Sequence, residues 1–260
     1  MANLYNNIYK RCTKFMRGNK ALLGLYKAVN NRKPSFTCPI CGYVGPFLDL
    51  HPETGLRKHV NCPNCGAAER HRLQYLALEK LAAQHDFSRL SILHFAPEPF
   101  FKKYFTGKFK NYASADLYAK NVDHRADLRK LPFADASYDF VFASHVLEHI
   151  REDTQAVAEI ARVLKPGGLA ILPVPIIGEI TVEYPEPNPY DNDHVRAPGY
   201  DYYDRYKPYF SKIDFYRSED FAEQYQLYSW EDRSKWPEKL RMRPVMAGVK
   251  HPAVIPVCYK

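Results

Sequence analysis

Two short spacings in this chain of 260 residues gather side chains able to bind metal or move protons. Cys38-Pro-Ile-Cys41 and Cys62-Pro-Asn-Cys65 each place two thiolates on a tight turn, with Gly42 and Gly66 directly after them. Four sulfurs so arranged can converge as a tetrahedron, the geometry of structural zinc. A closed four-cysteine site leaves no position for substrate, so it serves to fold a segment too small for its own core. Cys12 and Cys258 stand alone and read as packing residues. Farther on, His145, Glu148 and His149 occupy i, i+3 and i+4, which puts all three on one face if the residues after Ser144 are helical. Two imidazoles and a carboxylate can hold a divalent metal that binds a hydroxyl and lowers its pKa, or one histidine can act alone as general base. The same five residues match the His-x-x-Glu-His signature of inverted zinc proteases, but they lie between a predicted strand and a Lys-Pro-Gly-Gly turn, which argues against that chemistry.

Elements must position these groups. Residues 69–84 have the apolar spacing of a helix, and 152–164 carry a stripe of Val157, Ile160, Ala161 and Leu164. Short apolar runs at 91–95, 112–115, 138–143 and 169–174 alternate with the helical stretches from residue 90 onward, the pattern of a mainly parallel sheet. Lys165-Pro166-Gly167-Gly168 is expected to end the second helix, since proline and glycine cannot continue it. Four segments follow: an arm over 1–37, the cysteine module over 38–68, a connecting helix over 69–89 and an α/β domain over 90–260.

The run Ala126-Asp127-Leu128, Leu131-Pro132-Phe133, Asp135, Tyr138-Asp139, Ser144-His145 and Glu148-His149, followed by Arg162-Val-Leu-Lys165-Pro166-Gly167-Gly168, resembles class I S-adenosylmethionine-dependent methyltransferases. The resemblance covers residues 90–260 and implies a Rossmann-like α/β sheet that binds S-adenosylmethionine. The cysteine module and Glu69-Arg70-His71-Arg72-Leu73 look like a branch with an N-terminal zinc ribbon, several members of which accompany surface-glycan synthesis. Carried over by position, it implies that Asp116, with Leu117 beside it, takes the ribose hydroxyls. Asp127 takes the adenine amino group, Leu128 packs on the ring, and Ser144 and His145 border the methionine moiety. The first loop departs from the family: His94-Phe95-Ala96-Pro97-Glu98 has no glycine. There Ala96 is small enough for close backbone approach, and Glu98 replaces the missing acid as partner of the ammonium group. His145, Glu148 and His149 resemble the Glu-x-x-Glu-His metal motif of some O-methyltransferases with a histidine in the first place, and nitrogen donors favour zinc, manganese or iron over magnesium. Asn188-Pro189-Tyr190 resembles the Asn/Asp-Pro-Pro-Tyr motif of amino-group methyltransferases, but lacks the second proline and follows the wrong strand.

After the fifth predicted strand comes a proline- and acid-rich insertion over 183–192 and then Asp193-His194-Val195-Arg196, where this fold commonly covers the acceptor pocket. His194 is therefore a second candidate base and Arg196 a candidate for an acidic acceptor. Tyr184, Tyr190, Tyr202 and Tyr203 could pack on a sugar face, although Tyr203, Tyr206 and Phe210 at helical spacing read as core. The resulting expectation is an O-methyltransferase acting on a sugar hydroxyl of a glycan or glycan precursor. The alternatives are an RNA methyltransferase that grips phosphates with ribbon and arm, and a binding module without catalysis.

Charge then speaks to location. Lys and Arg number 37 against 29 acids, a formal charge of +8, and residues 1–37 hold eight of the bases and no acid, which leaves 29 of each sign elsewhere. Leu4, Tyr5, Ile8, Tyr9, Cys12, Phe15 and Met16 share one arc of a helical wheel, with Lys10, Arg11, Lys14 and Arg17 on the other. Such an arm suits an anionic membrane surface, or packs on its own protein. The most apolar stretch, 169–178, carries two prolines and is too short to span a bilayer. The expected setting is cytoplasmic, peripheral to the inner membrane surface.

Overall fold

The computed structural model describes residues 14–236, 238 and 246–260. They fall into two units that interleave along the chain: Met1–Glu79 with Arg217–Ala253, and Lys80–Tyr216 with Val254–Lys260. Of the arm residues predicted to share an apolar arc, Leu4, Tyr5, Ile8, Tyr9 and Cys12 lie outside the described residues.

The first unit opens with α1 (Lys20–Val29), whose first turn is capped by the Asn19 side chain accepting from the Leu22 N–H. β1 (Phe36–Thr37) pairs antiparallel with β2 (Val44–Gly45), and β3 (Leu48–Leu50) with β4 (Arg57–Asn61). α2 (Glu69–Ala82) follows. The core joins Leu23 of α1 to Cys38, Tyr43, Phe47, Cys62 and Ala67. Arg72, fully buried on α2, donates to the carbonyls of Val60, Ala67, Tyr225 and Gln226, and its guanidinium lies 4.4 Å from the Phe47 ring centre.

In the second unit β5 (Ser91–Phe95) leads into α3 (Pro99–Lys108), then β6 (Asn111–Asp116), β7 (His124–Arg125) and β8 (Tyr138–Ala143). α4 (Asp153–Val163) and β9 (Leu164–Ile171) come next, followed by a hairpin of β10 (Val182–Asn188) and β11 (His194–Ala197), and then β12 (Lys212–Arg217). The chain returns to the first unit for β13 (Tyr228–Glu231) and β14 (Lys250–Pro252) before β15 (Val254–Tyr259) closes the second. β13 pairs with β4 through Trp230–Lys58 and Glu231–Arg57, and so draws 217–253 away from the continuous 90–260 domain that the sequence suggests.

The large sheet has the order β12-β15-β9-β8-β5-β6-β7, parallel from β9 to β7, with β15 antiparallel against β9. Ile92 and Leu93 of β5 and Phe140, Val141, Phe142 and Ala143 of β8 are fully buried, as strands covered on both faces require. The Lys-Pro-Gly-Gly turn lies inside β9, since α4 already ends at Val163. It forms a bulge, because the register steps from Tyr138–Leu164 to Phe140–Leu169. Lys165 Nζ lies 2.9 Å from both Asp139 carboxylate oxygens, which ties the bulge to β8.

Candidate functional site

Connection order reverses between β5 and β8, and ligands in open parallel sheets bind at the carboxyl ends beside such a switch. Phe95 is level with Ala115 on one side and Ala143 on the other, so the loops after β5, β6 and β8 start at one height.

After β5, Ala96 takes φ of +48° and donates its N–H to Ala115 O at 3.0 Å. The glycine-free sequence therefore makes the left-handed corner with an alanine. His94 is placed in the core: its buried ring stacks edge-on against Phe105 and Phe142, with Nδ1 3.1 Å from Tyr112 Oη and Nε2 3.6 Å from Glu98. Burial lowers its pKa against the pull of Glu98. Phe95 is also buried, and Glu98 stands immediately before α3. Asp116 accepts from the Tyr118 and Ala119 N–H groups through Oδ1, and Leu117 O takes Arg125 Nε. Asp127 is gripped by Arg129 at 2.7 Å, which holds its carboxyl below the usual range, while Leu128 is buried beside it.

After β8, Ser144 is buried and His145 turns left-handed at φ +55°, its N–H donating to Pro173 O. The expected helix is only a 3-10 turn over Leu147–His149, so His145, Glu148 and His149 do not share a helical face. His145 Nδ1 instead lies 3.1 Å from Glu148 Oε1. The described residues that bring ligand atoms within 4.8 Å of one another here are Glu148, His149 and His194, with β11 supplying the second imidazole.

The β10–β11 hairpin delivers His194. Asn192 and Asp193 take φ of +53° and +59° at its turn, conformations that asparagine and aspartate tolerate best among residues with a side chain. His194 is nearly buried, its Nε2 3.9 Å from Glu148 Oε1 and its Nδ1 3.3 Å from Asp191 Oδ2. The His149 and His194 rings meet edge to face with centres 4.7 Å apart. Burial opposes charge on His194, but Asp191 and Glu148 outweigh it and raise its pKa. Burial equally opposes charge on Glu148, and the neighbouring imidazoles overcome it, leaving its pKa lowered. His149 is lowered by burial, with Glu148 pulling the other way.

A methyltransferase-domain family model matches residues 105–172. An S-adenosylmethionine-dependent methyltransferase from Mesorhizobium loti, 14% identical, superposes over 72% of this chain and 98% of its own with a TM-score of 0.50. The fold is that of class I methyltransferases. In sequence the likeness is local. An uncharacterized methyltransferase of Mycobacterium avium is 50% identical over 48 residues, 18% of this chain and 19% of its own. A 37.1 kDa uncharacterized protein in a Streptomyces fradiae transposon is 38% identical over 60 residues, 23% of this chain. The chain thus spans under a fifth of the length of the curated relatives it matches: 17% and 19%.

Within the methyltransferase unit, two expectations for the acceptor side are corrected. Arg196 does not face an acceptor: it is 1% exposed, pairs with Glu183 at 3.0 Å and Asp153 at 3.3 Å, and donates to the carbonyls of Leu147, Ile150 and Arg151. It clamps the hairpin to the loop carrying Glu148, and so sets His194 against that carboxylate. Tyr184, Tyr202 and Tyr203 are buried with Tyr206, whereas Tyr190 is 51% exposed, next in sequence to Asp191, whose carboxylate lies 3.3 Å from His194 Nδ1. The run of alternating tyrosines hid this, because aromatic spacing alone does not separate a core from a sugar platform.

In the first unit, the four cysteine sulfurs lie within 4.8 Å of one another, with Cys38–Cys65 and Cys41–Cys62 at 3.6 Å. Sulfurs bound tetrahedrally at about 2.3 Å would stand about 3.8 Å apart, so the cluster is consistent with a zinc-like centre. Each Cys-x-x-Cys closes alike: Gly42 N–H to Cys38 O and Gly66 N–H to Cys62 O, with Cys38 N–H to Tyr43 O and Cys62 N–H to Ala67 O. The cationic Arg72, which holds the Ala67 carbonyl, suits the negative charge of a four-thiolate metal site.

Proposed function

We propose that this chain is an S-adenosylmethionine-dependent O-methyltransferase whose acceptor is a sugar hydroxyl of a glycan or glycan precursor. The observation that carries the reading is the His145–Glu148 pair at the switch-point end of β8. With Glu148 ionised, Nδ1 of His145 carries hydrogen toward Oε1 and Nε2 is left to accept a proton. S-adenosylmethionine, when bound, supplies a methyl group already activated on a sulfonium. On transfer to the acceptor oxygen its C–S bond would break with the electron pair going to sulfur, and His145 Nε2 would take the proton that the hydroxyl loses. Asp116 Oδ2 and the backbone around Ala96 and Leu128 would hold the nucleoside. Asp127 would reach the adenine amino group while keeping Arg129. Exposed Tyr190, beside the Asp191–His194 pair, offers an aromatic face to a sugar ring.

Glu148, His149 and His194 also make a donor set for a divalent ion, with Asp191 behind His194 as the outer partner that metal-binding histidines use. A metal there would bind the acceptor hydroxyl and ease its deprotonation. Turnover surviving chelation that leaves the cysteine centre loaded would remove this metal and keep the histidine base. Zinc fills the cysteine centre in this reading, and elemental analysis giving one zinc per chain, lost in Cys38→Ser, tests it.

Mass spectrometry of a glycan pool incubated with the chain and labelled S-adenosylmethionine should show label on sugar oxygen. Label on RNA instead, with salt-sensitive retention of RNA on filters, would transfer the activity to nucleic acid. Failure to bind S-adenosylmethionine at millimolar concentration would leave a non-catalytic module.

A further inference from the structure

We propose that the outward apolar face of α1 is a docking surface for an anionic lipid bilayer. α1 has apolar residues on two faces, and among the described residues of the first unit one of them is packed. Leu23 is in the core with Cys38, Tyr43 and Phe47; Met16 packs against that core, and Tyr26 Oη donates to Phe47 O at 3.2 Å. Seated this way, the helix turns Leu22, Leu25 and Val29 outward at i, i+3 and i+7, with exposures of 37, 62 and 75%. Ala21 and Ala28 flank them, also exposed, and Phe15, just before the helix, is 75% exposed. An apolar row on a helix already anchored by its opposite face is more than the scatter of single exposed hydrophobics that any surface shows.

Charge selects the occupant. The stretch 1–37 has eight cations and no acid; Lys33 pairs with Asp49 and Lys27 lies over the Tyr43 ring, while Lys14, Arg17, Lys20 and Arg32 are solvent-exposed. A second copy on this face would set two acid-free surfaces against each other. Nucleic acid would satisfy the cations and leave the leucines and valine in water. The boundary of a bilayer with anionic headgroups accommodates both, as it does for amphipathic helices with basic flanks.

Flotation of the full chain with phosphatidylcholine vesicles, with and without about 30% phosphatidylglycerol, tests this. The chain should float with the anionic vesicles at low salt and remain behind with the neutral ones. The triple variant Leu22→Ser, Leu25→Ser, Val29→Ser changes only exposed positions, and should bind at least about tenfold more weakly with an unchanged melting curve. Replacing Lys14 and Lys20 by Glu should remove the salt-sensitive part of binding. Triple-variant flotation equal to wild type, or a concentration-dependent dimer that the triple variant loses, would overturn the proposal. Neither result touches the methyl-transfer reading, whose tests use soluble acceptor.

Discussion

The two cysteine turns and the loops after β5 and β8 all pass through left-handed corners, and they fill those corners differently. Gly42 and Gly66, at φ +71° and +81°, close the two cysteine turns without steric cost. In the unit with the methyltransferase fold, Ala96 and His145 sit at φ +48° and +55°, directly after β5 and β8. A side chain there costs roughly 1–2 kcal/mol each, and such cost persists where the surroundings fix the residue. One centre is relaxed and closed; the other keeps strained corners at the ends of its central strands. The two centres are also fastened differently. The first converges from two local spacings onto four sulfurs within 4.8 Å of one another, while the second joins chain segments 46 residues apart, and Arg196 does the fastening.

The largest expected effect breaks the first centre. If zinc fills the cysteine centre, as proposed, Cys62→Ser should remove most of its contribution, on the order of 10 kcal/mol, and abolish the folding transition of the cysteine unit. Both tryptophans, Trp230 and Trp236, belong to that unit, so fluorescence melting reports on it directly. An unchanged transition would mean that apolar packing around Phe47 suffices.

At the second centre, His145→Gln should lower turnover by about 10²–10⁴-fold while S-adenosylmethionine affinity, measured by calorimetry, changes little. Equal loss of cofactor affinity would assign His145 to binding, and full activity would move the base to His194. Arg196→Met should then cost about 3–5 kcal/mol in urea unfolding, because it strands three carbonyls and removes one buried partner of Asp153 and Glu183. A cost below about 1 kcal/mol would show that Arg205, which also pairs with both acids, holds the hairpin alone.

How legible each centre is in sequence follows the same division. The cysteine pairs are readable because each turn is local, and strands 91–95 and 138–143 are readable because their apolar runs are continuous and buried. The motif that resembles methyltransferases runs through the strand ends at the switch point, yet several of its residues hold the sheet together: Asp139 takes Ser91 and Lys165. His194 beside Glu148 depends on a hairpin whose turn is set by Asn192 and Asp193, and no spacing announces that it folds back. Arg196 looks like an anion binder in sequence because nothing local shows the three carbonyls that meet it. The return of β13 to β4 is equally silent, since a four-residue strand carries no sign of which sheet it joins.

The smallest expected effect sharpens the comparison of corners. Ala96→Gly gives the corner after β5 the residue that the two cysteine turns already use. The native N–H bond to Ala115 O needs no side chain, so the variant keeps it and sheds the left-handed penalty. Glycine also widens the unfolded ensemble, which takes back part of the gain; the net should be a stabilisation of about 0.5–1 kcal/mol. The methyl group removed is half-buried at the carboxyl end of β5, where the backbone would approach S-adenosylmethionine, so cofactor affinity should hold or rise. A fall in both stability and affinity would mean that the alanine methyl is itself a packing contact of the site, and that the absence of glycine from this loop is selected by that contact.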